Sequence, residues 1–170
     1  SFFLEIAKVT NSDKIDLLHS WPEKINFSCD QRSNLLEYKG DYLNIIFAGS
    51  IGETQNLKEL VSVFKELEKE KARLIIIGDG REKPYLENLV KSQKLNNIIF
   101  IDQQPLNKIP ELILHADILL LSLKVGKVGS YTIPGKFSTY LKFGLPILCH
   151  AKGEVSEIVK NNNFGLCSNP

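Results

Sequence analysis

Candidate binding chemistry is concentrated between Asp117 and Glu154, an interval that contains no acidic side chain. Five lysines lie within it, namely Lys124, Lys127, Lys136, Lys142 and Lys152. The whole chain carries a net charge of only +1, so this interval holds a local excess of positive charge. The excess predicts a small anionic ligand nearby. A lysine-bearing surface loop without any ligand is the alternative.

The start of a helix is predicted within the same interval. Pro134 suits the first helical position, and Ser130 and Thr132 are suitable capping residues. The free backbone N–H groups of such a helix start would point out of the loop together with Lys136, an arrangement that favours phosphate groups. We therefore predict a phosphate site around Lys136.

From Tyr42 onward, short apolar strands alternate with amphipathic helices. The predicted strands cover residues 43–49, 73–78, 97–101, 117–122, 147–150 and 165–167, and the predicted helices cover residues 55–71, 82–94, 107–115, 134–143 and 153–160. Strands recur at roughly 20–30 residues, a spacing that suits right-handed βαβ crossovers. The predicted fold class is therefore α/β, with a Rossmann-like, doubly wound parallel sheet.

Glycine-containing loops follow the first two predicted strands. Sheets of this class bind ligands outside the carboxyl ends of their strands, where the loops at Gly49, Gly78, Gln103 and Ser122 would gather. The first loop, residues 49–52, has its glycines spaced GxxG and not GxGxxG, which disfavours a dinucleotide cofactor. Its glycines would still let the backbone approach a ligand closely, and a plain tight turn is the alternative for both loops.

Composition limits the remaining classes of function. A chain of 170 residues with 43% hydrophobic residues can bury one substantial core. No apolar run approaches the ~20 residues of a membrane helix, and a signal peptide is not indicated, so we expect a cytoplasmic protein. The balanced charge argues against nucleic acid as a partner. Three scattered cysteines and three scattered histidines predict neither a disulfide framework nor a metal site.

Residues 1–40 differ in character from the rest. They are heterogeneous and contain a single short extended candidate that begins at Lys14. We interpret them as an interdomain segment, a remnant of an amino-terminal domain docked by Phe2, Phe3 and Trp21, with a disordered tail as the alternative. Residues 41–170 would then form the ligand-binding domain.

Five motifs occur in a fixed order from the first predicted strand onward. They are FAGSIGETQNLKEL, LIIIGDGREKPYLENLV, NIIFIDQQPLNKIPELILHADILLLSL, IPGKFSTYLKFGLPIL and KGEVSEIV. In this order they resemble the carboxyl-terminal domain of GT-B glycosyltransferases, specifically glycosyltransferase family 4 and its group of bacterial N-acetylfucosaminyl transferases of O-antigen and capsule synthesis. The resemblance covers about residues 14–166.

The resemblance implies a donor-binding half of a retaining glycosyltransferase, cytoplasmic or associated with the membrane surface. Its donor would be a nucleotide-diphosphate sugar, in particular a UDP-linked N-acetylated deoxyhexose or hexosamine, with the base against residues 101–104. Its partners would be the missing amino-terminal acceptor domain and a lipid-linked acceptor. No cofactor, metal or catalytic residue is expected in this part, and the chain alone should be inactive.

The sequence departs from the family pattern at two places. The Glu-x7-Glu motif common in the family is replaced by Tyr131 and Thr139, and the common Arg and Lys after the first strand correspond to Ser50 and Gln55. Carboxylate contacts to the sugar and the usual cationic phosphate clamp are therefore missing. Lys136 is the charged residue left to hold the diphosphate.

The predicted donor-binding residues are Gly49, Ser50, Ile51, Gly52, Gln55, Gly78, Gly80, Gln103, Gln104, Lys124, Ser130, Tyr131, Thr132, Ile133, Pro134, Gly135, Lys136 and Thr139. Two other classes of protein stay open. A UDP-N-acetylglucosamine 2-epimerase would share a similar frame but would need carboxylates near the sugar. A non-catalytic nucleotide-binding or receiver-like module would need, in the receiver case, an acidic cluster at the strand ends.

Overall fold

A computed structural model describes residues 36, 41–126, 133–168 and 170. Within them, six strands form one parallel sheet in the order β3-β2-β1-β4-β5-β6. The strands are β1 (Leu43–Ala48), β2 (Ala72–Ile77), β3 (Ile98–Ile101), β4 (Ile118–Ser122), β5 (Ile147–His150) and β6 (Gly165–Ser168). The predicted Rossmann-like, doubly wound sheet is thus confirmed.

Five α-helices in the described part of the chain connect the strands. They are α1 (Leu57–Glu66), α2 (Lys83–Ser92), α3 (Ile109–Ile113), α4 (Gly135–Leu141) and α5 (Glu154–Asn161). Short 3-10 turns lie at Glu53–Gln55, Glu68–Glu70 and Leu106–Lys108. None of the helices in the described residues has the length and apolar character needed to cross a membrane.

The predicted boundaries of two helices were wrong. The helix predicted over residues 55–71 is α1 with a 3-10 turn on either side. Left-handed Asn56, with a φ of 51°, precedes the first residue of α1, and left-handed Lys71, with a φ of 52°, ends the second 3-10 turn. A right-handed helix cannot pass through such residues. Pro134 is the capping residue of α4 and not its first helical residue, since its ψ of 140° is extended.

Both faces of the sheet are covered by helices. Successive strand side chains point to opposite faces, so β1 and β2 contribute to two separate cores. One core packs against α1 and α2 and includes Phe47, Leu57, Phe64, Leu74 and Leu86. The other packs against α3, α4 and α5 and includes Ile46, Leu112, Phe137, Tyr140 and Val155, together with Leu36 from the amino-terminal segment.

The strand order reverses between β1 and β4. These two strands pair over only two positions, Ile45 with Ile118 and Ile46 with Leu119, although both continue beyond them. Crossovers leave this seam in opposite directions, to β2 and β3 on one side and to β5 and β6 on the other. Such a switch point opens a crevice at the carboxyl ends of the strands, where ligands of this fold class bind.

Candidate functional site

A cavity of about 390 Å³ lies at the carboxyl ends of β1, β2 and β3, beside α4. Three strand-end loops and one face of α4 form its walls. The lining residues are Ala48, Gly49, Ser50, Ile77, Gly78, Asp79, Gln103, Gln104, Leu106, Ile109, Lys136, Thr139, Tyr140 and Phe143. Cavities of this size and composition accommodate small molecules.

The ammonium group of Lys136 lies buried against the end of β1. Its Nζ atom has no hydrogen-bond partner among the described residues and sits 3.8 Å from the centroid of the Phe47 ring. Burial lowers the pKa of Lys136 to about 8, because the charged form loses its hydration. No carboxylate of the described residues pairs with this ammonium, and an anion in the cavity would supply a counter-charge.

Glycines bring the backbone of the first two strand-end turns close to Lys136. Gly49 has a φ of 146°, and a Cβ atom on it would lie 2.8 Å from Lys136 Nζ. A Cβ atom on Gly78 would lie 2.0 Å from the carbonyl oxygen of Gly49, so the two turns stack backbone on backbone. The amide of the next residue, Ser50, makes no hydrogen bond within the described part of the chain. A donor and a cation therefore lie at the same turn.

Tyr140 lies one helical turn after Lys136, on the same face of α4. It is 2% exposed, and its hydroxyl accepts a hydrogen bond from the Ala48 N–H at 2.9 Å and donates one to the Ala48 carbonyl at 3.3 Å. Burial raises the pKa of Tyr140, so the hydroxyl stays protonated. Lys136 and Tyr140 thus contact two consecutive residues at the end of β1.

Part of the cavity wall is apolar, with polar side chains beside it. Leu106, Ile109 and Phe143 supply the apolar surface, and Leu106 is 64% exposed. At the rim, Gln104 donates from its side chain to the Asp102 carbonyl at 3.0 Å. The buried Lys83 binds the Asp102 carboxylate, which raises the pKa of Lys83 and fixes the loop after β3. This wall suits a flat ring with a polar edge.

The structure brings some of the predicted site residues together and places others elsewhere. Those that line the cavity are Gly49, Ser50, Gly78, Gln103, Gln104, Lys136 and Thr139. Those that are described but do not line it are Ile51, Gly52, Gln55, Gly80, Lys124, Ile133, Pro134 and Gly135. Ser130, Tyr131 and Thr132 lie outside the described residues.

Local contacts explain two of these placements. Gln55 turns back onto its own loop, where its side-chain oxygen accepts from Gly52 N at 3.1 Å. Lys124 pairs with Glu53 at 2.5 Å, which raises the pKa of Lys124, and its amide donates to Thr54 O at 2.8 Å. Lys124 therefore ties the loop after β4 to the loop after β1, and its charge is already compensated.

Seven lining residues were missed by the sequence analysis, namely Ala48, Ile77, Asp79, Leu106, Ile109, Tyr140 and Phe143. Tyr140 and Phe143 follow Lys136 by four and seven residues, so helical spacing could have placed all three on one face. Asp79 was treated as an ordinary turn residue; its carboxylate accepts from the Gly80 amide at 2.7 Å. Leu106 and Ile109 carry no signal beyond their apolar character.

Comparison with known proteins assigns the family. The model of the family "Glycosyl transferases group 1" matches residues 30–170. The chain belongs to this family. The resemblance to GT-B glycosyltransferases is thereby confirmed at the level of the glycosyl transferases group 1 family.

The chain is also similar to individual proteins, to one in sequence and to another in fold. The chain is 26% identical over 145 residues to the "Putative colanic acid biosynthesis glycosyl transferase WcaI" of Escherichia coli K12, covering 82% of this chain and 35% of WcaI. The crystal structure of Anabaena Alr3699/HepE in complex with UDP and glucose matches with a TM-score of 0.59 at 16% identity, covering 76% of this chain and 35% of HepE.

A third comparison involves an isolated domain of the group 1 family. The crystal structure of the C-terminal domain of LpcC from Francisella tularensis has a TM-score of 0.58 at 20% identity, covering 82% of this chain and 77% of that one. By contrast, the chain spans only about a third of the length of WcaI and HepE. What it shares with the two longer proteins is therefore one domain-sized part.

Proposed function

We propose that the chain is the donor-binding half of a retaining glycosyltransferase of cell-surface polysaccharide synthesis, and that the cavity holds a nucleotide-diphosphate sugar. The observation that carries this proposal is the buried Lys136 ammonium, which has no partner among the described residues and lies over the glycine turn after β1. Membership of the glycosyl transferases group 1 family supplies the class of reaction.

The diphosphate is assigned to the space between Lys136 and the Ser50 amide. A diphosphate brings at least two negative charges, and a desolvated ammonium with a nearby N–H donor can form charge-assisted hydrogen bonds to them. The lining holds one acidic side chain, Asp79, and its carboxylate already accepts a hydrogen bond from the Gly80 amide. The negative groups of the ligand are therefore assigned to Lys136, the cation of the lining.

The nucleoside is assigned to the wall formed by Leu106, Ile109 and Phe143. The apolar side chains would contact the base, and backbone groups of residues 101–104 would bind its polar edge. HepE was solved with UDP, which favours uracil as the base. The proposed donor is accordingly a UDP-linked sugar. We propose that its sugar is an N-acetylated deoxyhexose or hexosamine.

Transfer breaks the bond between the sugar C1 and the oxygen of the terminal phosphate, which leaves negative charge on the departing diphosphate. Lys136 would stabilise that charge as it develops. Bond formation requires donor and acceptor in near-attack geometry, so we place the acceptor and its catalytic groups on an amino-terminal half. The name of WcaI, a colanic acid biosynthesis enzyme, favours a role in polysaccharide assembly.

Thermal unfolding with a panel of UDP, UMP, uridine and ADP tests the proposal. UDP at about 100 times its Kd should stabilise the chain by about 2.7 kcal/mol, whereas uridine at the same concentration should stabilise it much less.

Bound UDP should slow the hydrogen exchange of backbone amides in residues 48–50, 77–79 and 103–109. Stabilisation by none of the nucleotides, or protection confined to β5 and β6, would contradict the proposal.

A further inference from the structure

A side chain hydrogen-bonds the carboxyl end of β1 at the point where β1 is no longer paired with β4. Alternate residues of β1 point their backbone groups toward β4: Asn44 accepts from the Asp117 amide at 2.9 Å and donates to the Asp117 carboxylate at 2.7 Å. The pairing of β1 with β4 ends at Ile46. Ala48 is next in the same alternation, so its N–H and C=O face the open seam.

The Tyr140 hydroxyl occupies that gap. It hydrogen-bonds both backbone groups of Ala48, at 2.9 Å and 3.3 Å. The backbone of β4 would make these bonds if its pairing with β1 continued to Ala48. The side chain is 2% exposed and reaches the seam from α4. A hydroxyl can accept one hydrogen bond and donate another at the same time. A phenylalanine at this position would leave the N–H and the C=O of Ala48 without this hydrogen-bond partner.

Ala48 leads directly into the turn that faces Lys136. Gly49 lies against Lys136 Nζ, and Ser50 lines the cavity with an amide that makes no hydrogen bond within the described residues. Tyr140 and Lys136 lie one turn apart on α4. Because the Tyr140 hydroxyl binds Ala48, the position of α4 sets the distance between the Lys136 ammonium and the turn at Gly49 and Ser50. Shifting Ala48 would move the Ser50 amide relative to the ammonium.

We infer that Tyr140 is a positioning residue for the nucleotide-diphosphate site: its hydroxyl holds the end of β1 so that the Ser50 amide and Lys136 converge on one diphosphate. This inference rests on the proposed function, because the ligand is the one assigned above. Tyr140 does not touch the reacting atoms in this account. It acts through Ala48.

The test compares Tyr140→Phe with Tyr85→Phe in the full 170-residue chain. Tyr85 lies on α2, is 48% exposed and lines no part of the cavity, so its variant controls for the loss of a tyrosine hydroxyl. In Tyr140→Phe, amide exchange at residues 48–50 should accelerate by about tenfold, the equivalent of one lost hydrogen bond. Affinity for UDP should fall by about tenfold with uridine affinity unchanged, and Tyr85→Phe should alter neither.

Each contrary result overturns a distinct claim. Unchanged exchange at residues 48–50 would show that Tyr140 does not hold β1. Faster exchange with equal losses for UDP and uridine, or with no loss for either, would show a role in stability alone. Failure of the unsubstituted chain to bind UDP would overturn the proposed function itself, and this appears before any substitution is made.

Discussion

At the scale of single residues, Lys136 is the side chain whose surroundings conflict most with its charge. Its ammonium is buried over an aromatic ring, and among the described residues no carboxylate pairs with it. The aromatic face offsets only part of the lost hydration. A bound anion would stabilise the charged ammonium, whereas in the ligand-free chain the charged form is unfavourable because it is buried without a counter-charge among the described residues.

Opposite pH dependences of stability and binding follow from Lys136. Its pKa of about 8 in the folded chain lies below the ordinary value of 10.5. Between these values the unfolded chain binds more protons, so the free energy of unfolding should rise with pH. UDP favours the charged ammonium, so its affinity should instead fall above pH 8, by at most about tenfold per pH unit.

Calorimetry with UDP and chemical unfolding, both between pH 7 and pH 9.5, measure these two trends. In Lys136→Met the fall in UDP affinity should disappear, and so should the contribution of this lysine to the rise in stability. An affinity for UDP that stays constant across the range in the unsubstituted chain would contradict a buried, ligand-facing ammonium.

At the scale of elements, the site depends on two strand-end turns that stack without side chains between them. Gly78 has a φ of 148°, and a Cβ atom on it would lie 2.0 Å from Gly49 O. The Gly49 amide also donates to Ile77 O at 2.9 Å. Backbone contact of this kind fixes the floor of the cavity, so the glycines serve packing as well as conformation.

Gly78→Ala should therefore destabilise the fold, by about 2–4 kcal/mol, because it combines backbone strain with a steric clash. Gly135→Ala is the matched control: no atom lies within 4 Å of a Cβ atom at that position, so this variant should be neutral or slightly stabilising. Urea unfolding of both variants measures the difference. Equal stabilities would mean that the two turns do not stack.

Sequence patterns predicted the elements better than their ends. Alternating apolar strands and amphipathic helices carry the fold, since burial on both faces of a parallel sheet requires them. The start of α1 was missed because the helical spacing of the apolar residues does not show that Asn56 is left-handed. Tyr140 and Ala48 are 92 residues apart in the chain. Spacing along α4 could suggest which helix face carries Tyr140, but not that its hydroxyl binds Ala48.

At the scale of the whole molecule, the cavity lies where the sheet reverses its strand order. The pairing of β1 with β4 ends at this reversal, and α4 packs against the open end of β1 with Lys136 and Tyr140. The sequence predicted that the loops at Gly49, Gly78, Gln103 and Ser122 would gather at this edge. Gly49, Gly78 and Gln103 line one cavity there, whereas Ser122 does not line it. A donor site in this crevice would face an acceptor half across it, as transfer requires.

Calorimetric titration of UDP and uridine into Lys136→Met and Lys91→Met shows whether Lys136 binds the diphosphate. Methionine keeps much of the length and apolar character of lysine without its charge, and Lys91 is an exposed residue of α2 remote from the cavity lining. Losing one charge-assisted contact should weaken UDP binding by about 10- to 150-fold in Lys136→Met and leave uridine binding unchanged. Lys91→Met should bind both ligands like the unsubstituted chain. Unchanged UDP affinity in Lys136→Met, or an equal loss for uridine, would contradict the assignment of the diphosphate to Lys136.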